Sequence, residues 1–171
     1  MEQIKTQAKK VMDYLPQSFK DTALVRLFGI TKVPLLAFLS PSVLQLDDQV
    51  CRVKIPLTWR SKNHLNCMYF AALAAGADCA AGLSAMKLIN QAPKKGSLIF
   101  KDFKATFLKR AEGDTVFVCD CGEDIQQLIE KCLETNERHH ILVPVTAFVP
   151  SKLGDEPVAE FELTLSVKFK P

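Results

Sequence analysis

No Cys-x-x-Cys pair occurs among the six cysteines Cys51, Cys67, Cys79, Cys119, Cys121 and Cys132. That absence removes a zinc ribbon and a thioredoxin-type redox site. A charge excess is missing too: 22 Lys and Arg stand against 19 Asp and Glu, a formal net charge of +3. No basic stripe carries interleaved aromatics, so nucleic acid is not an expected partner. The N-terminus lacks the apolar core of a secretory signal, which makes the cytoplasm the expected compartment. Cysteines there stay reduced and serve as small apolar residues. Cys119 and Cys121 lie two apart in a strand-like run and face one side. A metal held there with His139 or His140 is the alternative, but no metal or other cofactor is expected.

Proline is absent from the run Asn63–Met86, and so is charge, except for Asp78 near its middle. Ala is the best helix former, and each Gly costs only about 1 kcal/mol against it. Apolar residues cover nearly every side, so the helix should be enclosed, not half-exposed. About 20 apolar residues suffice to span a membrane. A central Asp opposes that reading, and the alternating segments that follow suit a protein folded in water. No membrane span is therefore expected. Small residues at Ala71, Ala75, Gly76, Ala80 and Gly82 allow another backbone to lie close. A lone carboxylate inside such a helix is costly to bury without a partner, which makes Asp78 a site candidate.

The 171 residues suit one domain with an N-terminal appendage, and 48% apolar content is ample for a core. Ile4, Ala8, Val11, Met12 and Leu15 recur at helical spacing over residues 2–15, with lysines on the other face. Pro16 ends that segment. Ser18 then reads as an N-cap and Gly29 as a stop, predicting a short helix over 19–28 that buries Phe19, Ala23, Leu27 and Phe28. These two helices could serve as a lid or packing element, or touch a membrane surface. Residues 33–39 read as a short strand or turn. Over 43–57 a β segment sets Cys51, Val53 and Ile55 against Val50, Arg52 and Lys54. Strands follow at 97–110, with Phe103, Ala105, Phe107 and Lys109 on one side, and at 115–121, joined by a Glu112-Gly113-Asp114 hairpin turn. An amphipathic helix over 123–137 precedes a last hairpin, 140–150 and 156–168, around Gly154-Asp155. Helices segregated from one antiparallel sheet make this an α+β chain.

The helix entry Asn63-His64-Leu65-Asn66-Cys67-Met68-Tyr69-Phe70-Ala71-Ala72-Leu73 resembles the hotdog thioesterase pattern N-H-x-G-T-x-[HFY]-G-G-A-L. That pattern has an acid nine residues past the aromatic position, here Asp78. Phe107-Leu108-Lys109-Arg110-Ala111-Glu112-Gly113-Asp114 resembles the same family's F-L-[KR]-P-A-x-G-D. The resemblance covers residues 40–168 and is closest to the DUF4442 group, beside the PaaI-like acyl-CoA thioesterases. It implies a hotdog fold: a long central helix wrapped by a curved antiparallel β-sheet, with extra N-terminal helices. The domain limits it suggests are 1–32 for the helical appendage and 33–171 for the hotdog domain.

The same resemblance implies a thioester hydrolase acting on acyl-CoA or an acyl carrier protein, as a homodimer or a dimer of dimers. Two sheets would join edge to edge, with active sites at the dimer interface. Asp78 would be general base or nucleophile, and Asn63 from the facing subunit would position water or the carbonyl. Amides near Tyr69 and Phe70 would hold the oxyanion, and His64, Asn66, Tyr69 and Phe70 would contact substrate. A helix N-terminus suits that role, since its unpaired amides carry partial positive charge. Lys94 and Lys95 could meet the phosphates of coenzyme A. The chain departs from the pattern at several points. Asn66-Cys67 replaces Gly-Thr, Phe70-Ala71 replaces Gly-Gly, Tyr69 replaces His, and Arg110 replaces Pro. Glycine admits substrate close to backbone, so Phe70 should narrow the slot. Two alternatives thus stay open: a hotdog protein that binds an acyl group or acyl-CoA without hydrolysis, and a domain used for assembly alone. Asn63 could equally be a simple helix cap.

Overall fold

The computed structural model describes residues 16–170. The helix expected over 2–15 lies outside that range. Two short helices come first, α1 (Gln17–Thr31) and α2 (Pro34–Leu39), followed by the strands β1 (Ser42–Leu46) and β2 (Cys51–Ile55). Next is the long helix α3 (Phe70–Gln91), then β3 (Gly96–Phe107), β4 (Thr115–Cys119) and the helix α4 (Gly122–Thr135). The chain ends with β5 (His139–Phe148), a single turn α5 (Pro150–Leu153), and β6 (Pro157–Phe169). The six strands form one antiparallel sheet in the order β1-β2-β4-β5-β6-β3. Its inner face wraps the long helix, which touches five strands. This is the hotdog arrangement.

Alternation in the sequence builds the inner face directly. Cys51, Val53 and Ile55 on β2 are fully buried while Arg52 between them is exposed, as a half-buried strand requires. Phe117 on β4, Val143 and Val145 on β5, and Phe161, Leu163 and Leu165 on β6 complete the layer. Against it lie Ala72, Leu73, Ala77, Ala80 and Ala81 of α3, also buried. Gly76 sets the closest approach: a Cβ there would stand 2.2 Å from the Phe117 ring. The helix is long and apolar enough to cross a membrane by length and composition, but most of it is enclosed by its own sheet.

Several sequence expectations need correction. The β segment expected over 43–57 is a hairpin, turned by Asp47, whose Oδ1 accepts the amides of Gln49 and Val50 at 2.9 and 2.8 Å. Residues 34–39 are helical, not extended, with Pro34 in the first helical turn, where its missing N–H costs nothing. Glu112-Gly113-Asp114 is not a hairpin turn. Among the described residues β3 pairs only with β6, at the far edge, while β4 sits between β2 and β5. Gly113 instead packs against the β5–β6 connection, where a Cβ would meet Val149 at 2.7 Å. Asp114 is held by the Leu57 amide at 2.9 Å and by Lys54 at 3.4 Å. Cys121 lies beyond β4, as the residue preceding α4.

Helix α1 shows the largest inversion. It starts after Pro16 without a side-chain cap, so Ser18 is not the N-cap, and it runs through Gly29 to Thr31. The buried positions are Asp21, Val25 and Gly29, whereas Phe19, Ala23, Leu27 and Phe28 face outward. Polar contacts select this face. Gln17 Nε2 donates to Asp21 Oδ1 at 2.8 Å, and Thr22 pairs with the backbone of Val43. Gly29 lies so close to α2 that a Cβ would be 2.7 Å from the Ala37 nitrogen.

Candidate functional site

The long helix is buried on most sides, but one stripe is only half-buried: Ala71, Ala74, Asp78 and Gly82. Spacings of three and four put these residues on one face. A Cβ added at Gly82 would find Phe100 of β3 nearest, at 3.9 Å, so the stripe looks toward the β3 edge. Asp78 is the stripe's only ionisable group. Among the described residues it makes no hydrogen bond and no ion pair, and loss of hydration pushes its pKa above the ordinary carboxylate range. Desolvation also raises the neighbouring Cys79 thiol to about 12, with the Asp78 charge adding to it, so Cys79 supplies no competing nucleophile.

The helix entry is a tightly tied loop. Asn63 N donates to Cys67 O at 2.8 Å and Asn66 N to Asn63 O at 3.1 Å. Asn63 Oδ1 accepts the Leu65 amide at 2.9 Å and the Cys67 amide at 3.4 Å, and its Nδ2 donates to Cys67 Sγ at 3.3 Å. Asn63 is therefore not the cap of α3; the residue in that position is Tyr69, with no side-chain cap bond. One Nδ2 proton of Asn63 has no partner among the described residues. Asn66 has φ 59, in the left-handed region. Asn tolerates that region, so the exchange of Gly for Asn66 leaves the turn intact. Lys62 Nζ donates to Asn66 Oδ1 at 3.0 Å.

Ser61, almost fully buried, carries much of this loop and gave no local signal in the sequence. Its hydroxyl donates to Pro56 O at 2.6 Å and accepts the Thr58 amide at 2.9 Å, while its carbonyl accepts the Tyr69 amide at 2.7 Å. That last bond corrects an expectation: the Tyr69 amide is spent within the chain and cannot face an oxyanion. The amides of Phe70 and Ala71 have no partner among the described residues, as the first turn of a helix leaves them. Met68 N donates to Ala111 O at 2.8 Å, which joins the helix entry to the second motif.

His64 is exposed beside this loop. The Tyr69 and Phe70 rings meet edge to face at 4.7 Å, and both are exposed instead of entering the core. Asn63, His64, Asn66, Tyr69 and Phe70 thus gather at one end of α3. Asp78 does not join them: eight residues at 1.5 Å rise put it about 12 Å along the helix from Phe70. Lys94 is engaged by Asn136 Oδ1, away from this end. All six cysteines are buried free thiols, and among the described residues no group of three or more His, Cys, Asp and Glu side chains could hold a metal ion.

Solved structures share this architecture. A candidate thioesterase from Shewanella oneidensis matches with TM-score 0.72 at 12% identity, over 86% of this chain and 96% of its own. A Pseudomonas aeruginosa protein of unknown function, itself a candidate thioesterase, matches with TM-score 0.68 at 21% identity, over 91% and 97%. A thioesterase from Haemophilus influenzae matches with TM-score 0.60 at 10% identity, over 85% and 88%. At such identities the likeness is one of fold. No curated protein matches by sequence. The model of a domain of unknown function, DUF4442, matches residues 21–167. The chain belongs to the DUF4442 family, on a hotdog fold.

Proposed function

We propose that this protein hydrolyses acyl thioesters, of coenzyme A or of an acyl carrier protein, as a homodimer with Asp78 as general base. The observation that carries the reading is Asp78 itself: an unpartnered, half-buried carboxylate on the open stripe of an apolar helix, with raised basicity. Nothing in the core's packing requires it, and an unpaired carboxylate costs stability. A carboxylate with pKa shifted toward neutrality is a more effective base. The thioesterase names of structures sharing the fold support the same chemistry.

In this mechanism Asp78 takes a proton from water as the hydroxide adds to the thioester carbonyl. The tetrahedral oxyanion accepts hydrogen bonds from the Phe70 and Ala71 amides of the facing subunit, where the helix dipole adds its field. Collapse expels the thiolate, which takes the proton back from Asp78, releasing a carboxylic acid and a thiol. The separation of about 12 Å between Asp78 and its own helix start supports two-chain sites, because no single chain offers both groups to one carbonyl. Asn63 of the facing subunit then orients the water through its uncommitted amide proton, with His64, Asn66, Tyr69 and Phe70 lining the thioester slot. Attack by Asp78 as nucleophile would use the same placement.

A second reading, acyl or acyl-CoA binding without turnover, is favoured by one pair of facts. The Tyr69 amide is occupied by Ser61, and the Phe70 ring stands where the family pattern has glycine. Free-thiol release from short, medium, long and aromatic acyl-CoAs separates the two. Turnover with any of them supports hydrolysis. Tight binding of a non-hydrolysable acyl-CoA thioether without turnover of the thioesters supports the second reading. Neither binding nor turnover would contradict both.

A further inference from the structure

Helix α1 is apolar on two sides. One side is buried at Val25 and at Gly29, which lies against Ala37 of α2; the other carries Phe19, Ala23, Leu27 and Ile30, at spacings of four, four and three, and is exposed. Leu27 is 57% exposed and Ile30 70%. Trp59, 72% exposed, lies edge-on to Phe38 of α2 at 5.7 Å, with the Arg60 guanidinium 5.4 Å from its ring. A solvent-facing apolar stripe of this size marks an interaction surface.

Charge says what kind. Residues 1–32 hold six Lys and Arg and three Asp and Glu, whereas residues 33–171 hold 16 of each. The whole positive excess of the chain therefore sits in the segment that bears the stripe. Asp21, one of the three acids, is buried and faces Gln17. By sequence, residues 1–15 repeat the combination, with Lys5, Lys9 and Lys10 among Ile4, Val11 and Met12. A second copy of the same surface fits poorly, because a two-fold contact would set two positive segments together.

We propose that the outer face of α1 rests on an anionic lipid bilayer. Leu27, Ile30 and Phe19 enter the acyl–headgroup boundary, and Lys20 and Lys32 meet lipid phosphates, while Arg26 stays bound to Pro41 O and Ser42 Oγ. Apolar burial and attraction to anionic lipid act together in such contacts, and salt weakens the second. The proposal does not depend on thioester hydrolysis.

The test is co-sedimentation of the full chain with phosphatidylcholine vesicles, with and without phosphatidylglycerol. The expected result is binding to the anionic vesicles, weakened by salt, and little binding to phosphatidylcholine alone. Leu27→Ser with Ile30→Ser should lower partitioning at least about tenfold. A second variant, Lys20→Glu with Lys32→Glu, should lose the preference for anionic lipid. Circular dichroism melts and light scattering should show both variants folded, with wild-type mass. Absence of sedimentation with anionic vesicles overturns the proposal. So does wild-type partitioning of the Leu27/Ile30 variant, or a fall in that variant's mass, which would assign the stripe to a second copy. If removing residues 1–15 creates vesicle binding that the full chain lacks, those residues cover the stripe and the proposal also fails.

Discussion

The Thr22 hydroxyl meets both backbone polar groups of Val43: the Val43 amide donates to Oγ1 at 2.9 Å, and Oγ1 donates to the Val43 carbonyl at 3.4 Å. Val43 lies on β1, one edge of the sheet, so α1 blocks that edge against further strand pairing. The other edge, β3, is 12 residues long and pairs with no further strand among the described residues, with Ile99, Phe103 and Phe107 exposed. Long uncovered edges pair with other chains. Dimerisation through β3 is therefore expected, and light scattering should give twice the 19.0 kDa chain mass. Phe103→Asp with Phe107→Asp should halve that mass. A dimer that survives the double substitution would place the contact elsewhere.

Asn63 can be divided between its two roles by substitution. Its Oδ1 holds the amides of Leu65 and Cys67, one Nδ2 proton goes to Cys67 Sγ, and the other is left to donate outward. Asn63→Asp keeps the acceptor and removes the donor, so the fold should stand while turnover falls. Asn63→Ala loses both and should also cost about 1 kcal/mol of stability. Equal activity of the Asp variant and wild type would leave Asn63 as a loop residue alone.

Gly76 tests the core beneath the site. An added methyl would stand 2.2 Å from the Phe117 ring, which is fully buried and has no room to withdraw. Gly76→Ala should destabilise by about 1–3 kcal/mol, read from denaturant or thermal unfolding. Gly82→Ala, whose new Cβ meets only Phe100 at 3.9 Å, should cost nothing and gain from helix propensity.

The pH dependence of stability follows from Asp78. Burial raises its folded pKa above the ordinary 3.8, so the folded state holds the proton more tightly than the unfolded chain. The stability this contributes is fully present below about pH 3.8 and is lost as pH rises through the folded pKa. Asp78→Asn is neutral throughout. Its melting temperature should therefore match wild type in acid and exceed it increasingly from about pH 4 upward. A variant less stable than wild type at pH 7 would mean that the carboxylate has a stabilising partner.

The fold is legible in the sequence because its signals are periodic and local. Cys51-Arg52-Val53-Lys54-Ile55 alternates cleanly, and the Ala-rich run after Phe70 has no competing conformation. Legibility ends where long-range contacts decide. The apolar stripe of α1 can be read from spacing, but the side it faces cannot, because the Thr22–Val43 pair and the Gly29–Ala37 approach select the buried face. Glu112-Gly113-Asp114 has hairpin residues, yet Asp114 serves a distant amide. At the site, Asp78 stands out as one charge in an apolar run. Ser61 does not, since nothing local says that its carbonyl will take the Tyr69 amide.

The most direct measurement is kcat for Asp78→Asn against wild type, at saturating acyl-CoA, on the chain length that wild type turns over fastest. If Asp78 is the base, kcat falls by about 10²-fold or more while the variant stays folded and dimeric. Turnover equal to wild type would contradict the mechanism and remove Asp78 from the chemistry.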